Sequence, residues 1–293
     1  MAADDTGRSG GRTAGAGEPG PEPVAEAPGG HWMTRRRFLK IAAAAVPAVC
    51  AADALLVEPG WLAVRRVDLR RADSRPAMRI VHLTDLHHKG NEGFLERVIS
   101  TVNSLGPDAV CFTGDLVEEE RHLAGALAGL AKIETPVYGV PGNHDHWSGA
   151  DFGTIARAFE ATGGAWLVDA EARTADGSLL ISGSDDNGTA FISAPQAGDG
   201  ARRVVLAHFP VFADELARDA RALAFDAILA GHSHGGQVRL PFAGALKVPY
   251  NVGVYDLGLY PTPTGPMYVS AGIGWWYLPV RFLCRPEVVV IEL

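Results

Sequence analysis

Acidic, amide and imidazole side chains recur at short spacings in five blocks of this 293-residue chain. Such side chains donate oxygen or nitrogen to divalent metal ions, and the five blocks contain no cysteine. Because imidazole is a poor ligand for hard ions, this mixture favours manganese, iron or zinc over calcium or magnesium. The seven candidate metal ligands are Asp85, His87, Asp115, Asn143, His208, His232 and His234.

The number of donors fits a pair of ions. Two ions need about eight protein contacts if each keeps a position for water and substrate, and one bridging carboxylate completes that count from seven side chains. Two ions about 3.5–4 Å apart would lower the pKa of a shared water, so hydroxide is the expected nucleophile. No covalent intermediate on the enzyme is expected, because no separate Ser, Cys or Asp nucleophile motif competes with the metal ligands.

Each block follows an apolar segment with strand character, and amphipathic helical spacing separates several of these segments. Polar ligands after apolar strands indicate a site at the carboxyl edge of a sheet. Alternation of short strands with helices predicts an α/β fold in which helices cover a largely buried sheet. The strands expected before the blocks are 78–83, 108–112, 136–140, 203–207 and 227–230.

Taken in order, the blocks resemble the motifs of the calcineurin-like metallophosphoesterase superfamily, and the match covers nearly all of residues 78–293. The motifs are Asp85-Leu86-His87, Gly114-Asp115, Gly142-Asn143-His144-Asp145, Ala207-His208 and Gly231-His232-Ser233-His234. The resemblance implies a metallophosphoesterase-type αββα sandwich of mixed sheets flanked by helices. It also implies two divalent ions, one on Asp85, His87, Asp115 and His234, and the other on Asp115, Asn143, His208 and His232.

Two further residues of these motifs are candidate catalytic residues. His144 resembles the imidazole that protonates or steadies the leaving oxygen in this superfamily, and Asp145 is expected to orient it. His82 and His122 are instead predicted to be structural residues, and His88 to belong to a loop.

Composition limits the other functional classes. A hydrophobic content of 47% allows one full-sized core, so we expect one catalytic domain plus targeting segments. The formal net charge of −8 argues against broad nucleic-acid binding. Three cysteines are too few for a disulfide scaffold.

The chain before residue 78 has the composition of targeting and linker segments. Residues 1–33 are rich in Gly and Pro and are predicted to be a disordered extension. Residues 34–57 begin with a basic run, continue with an Ala-rich apolar run, and resemble a twin-arginine export signal. That signal implies passage of the folded protein through the twin-arginine machinery to the periplasm, cell envelope or exterior. Residues 58–77 are predicted to be a linker and a first strand, and residues 78–293 the catalytic domain.

The apolar run is shorter than the roughly 20 residues of a spanning helix, so a signal is favoured. Small residues at Ala52-Asp53-Ala54 offer a cleavage site. An uncleaved membrane tether stays open as the alternative.

The last quarter of the chain bears on the substrate. Its motifs around His234-Gly235-Gly236 and Gly272-Ile273-Gly274 resemble the exported or membrane-associated branch related to UDP-2,3-diacylglucosamine pyrophosphatases. Arg281 is predicted to bind substrate phosphate, with a structural ion pair as the alternative. The aromatic run Trp275–Pro279 suits a lipid or membrane surface, although core packing or a dimer contact would also explain it.

Three functions follow from these patterns. Hydrolysis of a phosphodiester or pyrophosphate in a lipid-linked or nucleotide-linked substrate is favoured. A broad exported phosphomonoesterase or nucleotide phosphatase is the second, and a noncatalytic metal-binding module is the third. The complete ligand set disfavours the third.

Overall fold

Two six-stranded sheets carry the candidate ligands in the computed structural model of this chain. The structure describes Gly10, Gly11, Gly20 and residues 33–73, 75–185, 200–219 and 223–293, so the predicted disordered extension lies almost wholly outside the described residues. The strands are β1 (Ala63–Asp68), β2 (Arg79–Leu83), β3 (Ala109–Thr113), β4 (Val137–Val140), β5 (Ala165–Trp166), β6 (Ala170–Arg173), β7 (Leu179–Gly183), β8 (Arg202–Ala207), β9 (Ala227–Ala230), β10 (Arg239–Leu240), β11 (Gly244–Ala245), β12 (Gly258–Thr262), β13 (Gly265–Val269) and β14 (Glu287–Glu292).

The helices lie mainly between the strands of the first half. They are α1 (Arg35–Ala52), α2 (Glu92–Leu105), α3 (Leu123–Leu130), α4 (Asn143–Trp147), α5 (Phe152–Ala161) and α6 (Phe212–Asp219). Asn91 caps α2 by accepting from the Phe94 amide, and Gly106 ends it in a left-handed conformation. A 3₁₀ turn at Glu120–His122 precedes α3.

Both sheets are mixed. The first has the order β1-β14-β2-β3-β4-β5, and β2 to β5 run parallel. The second has the order β12-β13-β9-β8-β7-β6, and β13, β9, β8 and β7 run parallel. Consecutive parallel strands therefore end at the same edge of each sheet, and every candidate ligand follows such an end.

The two sheets pack face to face through an apolar core. Ile80 and Cys111 of the first sheet share one buried cluster with Val204 and Leu229 of the second. A second cluster joins the outer face of the first sheet to α2, α3 and α5, and a third joins the outer face of the second sheet to α6. The predicted αββα sandwich of mixed sheets flanked by helices is thus confirmed.

The N-terminal helix is longer than the sequence suggested. After α1 the chain continues through one π turn, Asp53–Val57, and one 3₁₀ turn, Glu58–Gly60. The helical segment Arg35–Gly60 has 26 residues, and an 18-residue stretch within it has a mean hydropathy of 1.8, so the segment is long and apolar enough to cross a membrane. Residues 1–45 form a unit separate from the compact unit of residues 46–293.

The end of this helical segment is joined to the C-terminal part of the compact unit. Glu58 is buried, and its carboxylate accepts hydrogen bonds from the backbone amides of Leu283 and Cys284. The carbonyl of Ala54 accepts from the Arg281 amide at 3.0 Å. The predicted cleavage residues at 52–54 therefore border a segment that is held in the folded unit.

Candidate metal centre

The loops that carry the ligands have an unusual backbone. Five of the seven candidate ligands have positive φ, a conformation that residues other than glycine seldom adopt. Strain of this kind persists only where the surrounding structure enforces it, and it concentrates at functional sites. The five residues are Asp85, His87, Asp115, His232 and His234, with φ between 40° and 63°.

Glycines let these loops approach each other. Gly114 has a φ of 89°, and a Cβ there would lie 2.5 Å from the Gly142 amide nitrogen. A side chain at Gly231 would collide with the Thr84 hydroxyl. Gly114 thus allows the loops after β3 and β4 to meet, and Gly231 allows the loop after β9 to meet the loop after β2.

One group of ligands converges on a single point. The Nε2 atoms of His87 and His234 lie 3.1 Å apart. An oxygen of Asp85 lies 3.3 Å from the His234 Nε2 and 4.0 Å from the His87 Nε2. An oxygen of Asp115 lies 3.3 Å from the His87 Nε2. These are the four side chains expected to hold one ion.

The second group converges next to the first. The His208 Nε2 lies 3.0 Å from the Asn143 Oδ1, 3.1 Å from the His232 Nδ1 and 3.4 Å from the Asp115 Oδ2. The same Asp115 oxygen is the atom that faces His87. Asp115 therefore stands between the two groups, as a bridging carboxylate must.

Backbone carbonyls select the ring nitrogen that faces each group. The His208 Nδ1 lies 2.7 Å from the Thr113 carbonyl, and the His232 Nε2 lies 2.9 Å from the Tyr250 carbonyl. A carbonyl only accepts, so these nitrogens carry the protons and the opposite nitrogen of each ring is free to bind an ion.

The first group uses a carboxylate for the same purpose. Glu118 lies 3.3 Å from the His87 Nδ1 and forms a 2.9 Å ion pair with Lys89. Burial alone would raise the pKa of Glu118, but His87 and Lys89 lower it to about 2. An ionised Glu118 therefore directs the His87 Nε2 toward the ion.

The electrostatics of the ligands favour bound cations. Burial alone would raise the pKa of Asp115, yet His208 and His87 hold it well below its usual range. Burial would lower the pKa of both imidazoles, but Asp115 raises that of His87 to about 9 and that of His208 to about 10. Metal ions compete with these protons, so metal binding at neutral pH should release them.

The residues present fit divalent metal ions. Two imidazole Nε2 atoms 3.1 Å apart and fully buried need a proton or a cation between them. Within the described residues, ligand atoms of Asp85, His87 and His234 form one candidate group, and those of Asp115, His208 and His232 another. Oxygen and imidazole donors without thiolate suit manganese, iron or zinc.

His144 lies at the opening of the centre. Its ring is 4.8 Å from the ring of His87 and 5.1 Å from that of Trp147, and its backbone amide donates to Asp115. It lines a cavity of about 280 Å³ together with Asp115 and Asn143. Burial lowers its pKa.

Asp145 has a different role from the expected one. Its carboxylate accepts from the backbone amides of Asp115, Leu116 and Gly142 at 2.8–2.9 Å, and no hydrogen bond joins it to the His144 ring among the described contacts. Burial raises its pKa to about 7, with Asp115 adding to the rise. Asp145 therefore fixes the loop that carries Asp115, and the prediction that it orients His144 is wrong.

Arg281 also differs from its prediction. It is fully buried, and its guanidinium donates to the carbonyls of Ala271, Gly272, Gly274 and Cys284. No nitrogen is left to reach a substrate phosphate, and the partners are carbonyls rather than an acidic side chain. Arg281 supports the loop that packs against the loop after β2, so both its predicted phosphate contact and the alternative ion pair are wrong.

The remaining histidines agree with their structural assignment. His82 is buried in β2 and its Nε2 lies 2.8 Å from the Thr113 hydroxyl. His88 is buried in the loop after β2, where its Nε2 lies 3.2 Å from Glu92. Neither ring takes part in the candidate groups.

Sequence patterns missed three parts of the site. Neither Glu118 nor Lys89 was among the predicted site residues, and the same is true of Lys247, which also lines the cavity of about 280 Å³. The carbonyls of Thr113 and Tyr250 carry no signal at all, because every residue has a carbonyl. An acidic residue three positions after Asp115 was the one available sign of Glu118.

Comparison with known proteins gives consistent matches. The family profile described as calcineurin-like phosphoesterase matches residues 78–236. The uncharacterized metallophosphoesterase YkuE of Bacillus subtilis is 30% identical, over 89% of this chain and 98% of its own. Phosphodiesterase YaeI of Escherichia coli is 29% identical, over 89% and 99%. A transmembrane protein with metallophosphoesterase domain of Danio rerio is 27% identical, over 75% and 54%.

Proposed function

Because this chain belongs to the calcineurin-like phosphoesterase family and is a metal-dependent phosphoric ester hydrolase, we propose that it cleaves phosphodiester or pyrophosphate bonds at two divalent ions. The observation that carries the proposal is the position of one Asp115 oxygen, 3.3 Å from the His87 Nε2 and 3.4 Å from the His208 Nε2. A carboxylate shared by two ligand groups is what a pair of ions requires.

The chain's own residues would divide the chemistry between them. Asp85, His87, Asp115 and His234 would hold one ion, and Asp115, Asn143, His208 and His232 the other. When bound, such ions activate water and neutralise phosphate charge. Manganese, iron or zinc would suit these donors.

His144 would act on the leaving group. Its lowered pKa favours the neutral imidazole, whose N–H steadies a developing oxyanion by a hydrogen bond. Asp145 would contribute indirectly, because it holds the Asp115 loop through three backbone amides.

The charge around the site favours a diester over a monoester. Among the described residues that line the 280 Å³ cavity, Lys247 alone carries a fixed positive charge. A phosphodiester has one negative charge at neutral pH, whereas a phosphomonoester has nearly two. The first therefore needs fewer cations, and the broad phosphomonoesterase is the second candidate.

The test is hydrolysis after metal replacement. Protein stripped with a chelator and reconstituted separately with manganese, iron or zinc should hydrolyse bis-p-nitrophenyl phosphate faster than p-nitrophenyl phosphate. A preference for the monoester would support the second candidate instead. Metal binding without hydrolysis of either ester would contradict the proposal.

The location of the enzyme is part of the proposal. The basic run at Arg35–Arg37 and the apolar helical segment after it support export through the twin-arginine machinery, with the segment kept as a membrane tether. Retention of the helical segment in the mature protein is supported by the hydrogen bonds of Glu58, which hold the last turn of that segment. Arg35→Lys with Arg36→Lys should keep the protein in the cytoplasm, and fractionation of the wild type should find it with membranes.

A further inference from the structure

A second cavity of about 570 Å³ opens beside the cavity over the metal centre. We call it the apolar pocket, and its hydrocarbon walls include Val238, Leu246, Leu278 and Val280. The two cavities share four lining residues, so they adjoin each other. The shared residues are His234, Lys247, Pro249 and Trp276.

We propose that the apolar pocket binds an alkyl or acyl chain of a lipid phosphodiester whose phosphate lies over the metal centre. The proposal rests on the phosphodiesterase function and narrows its substrate to lipids. A chain entering between Trp276 and Lys247 would pass from the phosphate directly into an apolar space of a size usual for ligand sites.

Two polar side chains of the pocket, Gln237 and Ser233, are already engaged within the protein. Gln237 accepts from the Trp276 amide and donates to the carbonyls of Leu278 and Val280. Ser233 accepts from the Gly235 amide and donates to the Ser270 carbonyl. A nucleobase or sugar bound here could not form hydrogen bonds with these two side chains, so its own donors and acceptors would lack them as partners.

Hydrocarbon has no such requirement. Its transfer from water to the walls is favourable in proportion to the area buried. Leu246 and Leu278 are more than half exposed, so a bound chain would also cover apolar surface that now faces solvent. The balance therefore favours an alkyl chain over a nucleoside.

Lys247 stands where the two cavities meet. Its side chain is exposed, and its ammonium lies 5.9 Å from the centre of the Trp276 ring. A flexible ammonium at this junction suits the single charge of a diester, while the indole beside it suits the first methylenes of the chain. The junction thus combines the positive charge of Lys247 with the apolar face of Trp276.

The test compares two phosphonates that differ only in chain length. Monomethyl esters of octylphosphonate and of methylphosphonate, below micellar concentrations, are titrated calorimetrically into the metal-reconstituted full chain. Burial of two methylenes accounts for roughly a tenfold gain, so octyl should bind at least about tenfold more tightly. Equal affinities would overturn the proposal.

Variants assign the effect to the pocket. Leu246→Gln and Val280→Gln should each reduce the octyl advantage by about fivefold or more, because a polar group then faces the chain. Leu259→Gln, on exposed strand β12, is the matched control and should retain the advantage. Leu246 lies at the exposed rim, so its replacement does not disturb the core. An advantage unchanged in both pocket variants would overturn the proposal.

A kinetic arm separates this inference from the function on which it rests. Methyl and octyl p-nitrophenyl phosphates are compared by kcat/KM, with uridine monophosphate as a competing ligand. Turnover of the methyl ester without preference for the octyl ester would overturn the lipid inference alone. Failure to hydrolyse either ester would overturn the phosphodiesterase function, while the titrations still decide the pocket. Competition by uridine monophosphate that weakens in Leu246→Gln would favour a nucleotide and overturn the lipid.

Discussion

The two sheets contribute different chemistry to one metal centre. The loops after β2, β3 and β4 of the first sheet supply every carboxylate and the amide, with a single imidazole, His87. The loops after β8 and β9 of the second sheet supply imidazoles alone, His208, His232 and His234. The first sheet thus provides the negative charge and the second provides neutral ligands.

This difference has a structural meaning, because the sheets pack together largely through apolar residues such as Ile80 and Leu206. Ions at the edge would add polar bonds between the two layers. The negative charge of the centre would then come from the first sheet, and the second sheet would complete the ligand set of each ion.

The largest expected effect comes from the carboxylate that both groups share. Asp115→Asn removes the charge between the ions, and kcat/KM should fall by roughly 10³-fold or more with loss of bound metal. Elemental analysis and diester kinetics measure the two effects. Asp108→Asn is the matched control at the other end of β3 and should change neither. Intact turnover in Asp115→Asn would refute the bridge.

Removal of the ions should loosen the sandwich. Metal at about 1,000 times its Kd stabilises by about 4 kcal/mol, so chelation should lower the Tm by roughly 8–16 °C for a domain of this size. Scanning calorimetry with and without chelator measures the shift. The Tm of Asp115→Asn should fall much less on chelation. A fall equal to that of the wild type would mean that the stabilising ions bind elsewhere.

The leaving-group role of the first sheet's His144 should give an intermediate effect. His144→Gln should lower kcat by about 10²-fold for a phenyl diester and by less for a p-nitrophenyl diester, whose oxygen needs less assistance. His146→Gln is the control, since its ring lies 2.7 Å from Asp185 instead. Equal losses on both esters would argue that His144 only supports the site.

The smallest effect concerns a histidine of the first sheet that binds no ion. Burial lowers the pKa of His82 to about 3, so the folded protein keeps it neutral. Below pH 6.5 the unfolded chain takes up a proton that the folded chain refuses, and stability falls by about 2 kcal/mol between pH 7 and 5. Urea unfolding of metal-free protein should show this loss in the wild type but not in His82→Gln. If the free energy of unfolding depends on pH equally in the wild type and in His82→Gln, His82 is not the buried neutral histidine described here.

Much of the fold followed from local patterns. The strands before each ligand block were found within two residues, because buried parallel strands are short apolar runs. Amphipathic helical spacing between several of these strands was also recognised. By contrast β6, β12 and the β10–β11 pair were not predicted, since their exposed, alternating or very short sequences carry little apolar signal.

The candidate ligands were also read from sequence, and the structure brings all seven together. What the sequence lacked was the direction of each side chain. Asp145 and Arg281 have the residue types of catalytic groups, yet both are occupied by backbone partners from distant loops. A single sequence does not show which polar groups the backbone has already engaged.

The position of β14 has a consequence for biosynthesis. This strand, from residues 287–292, lies between β1 and β2, so β1 has no partner strand in the first sheet until this segment leaves the ribosome. Strand β2, from which the loop with Asp85 and His87 extends, gains its second neighbouring strand only then. Completion of the first sheet is thus a late event in the folding of the chain.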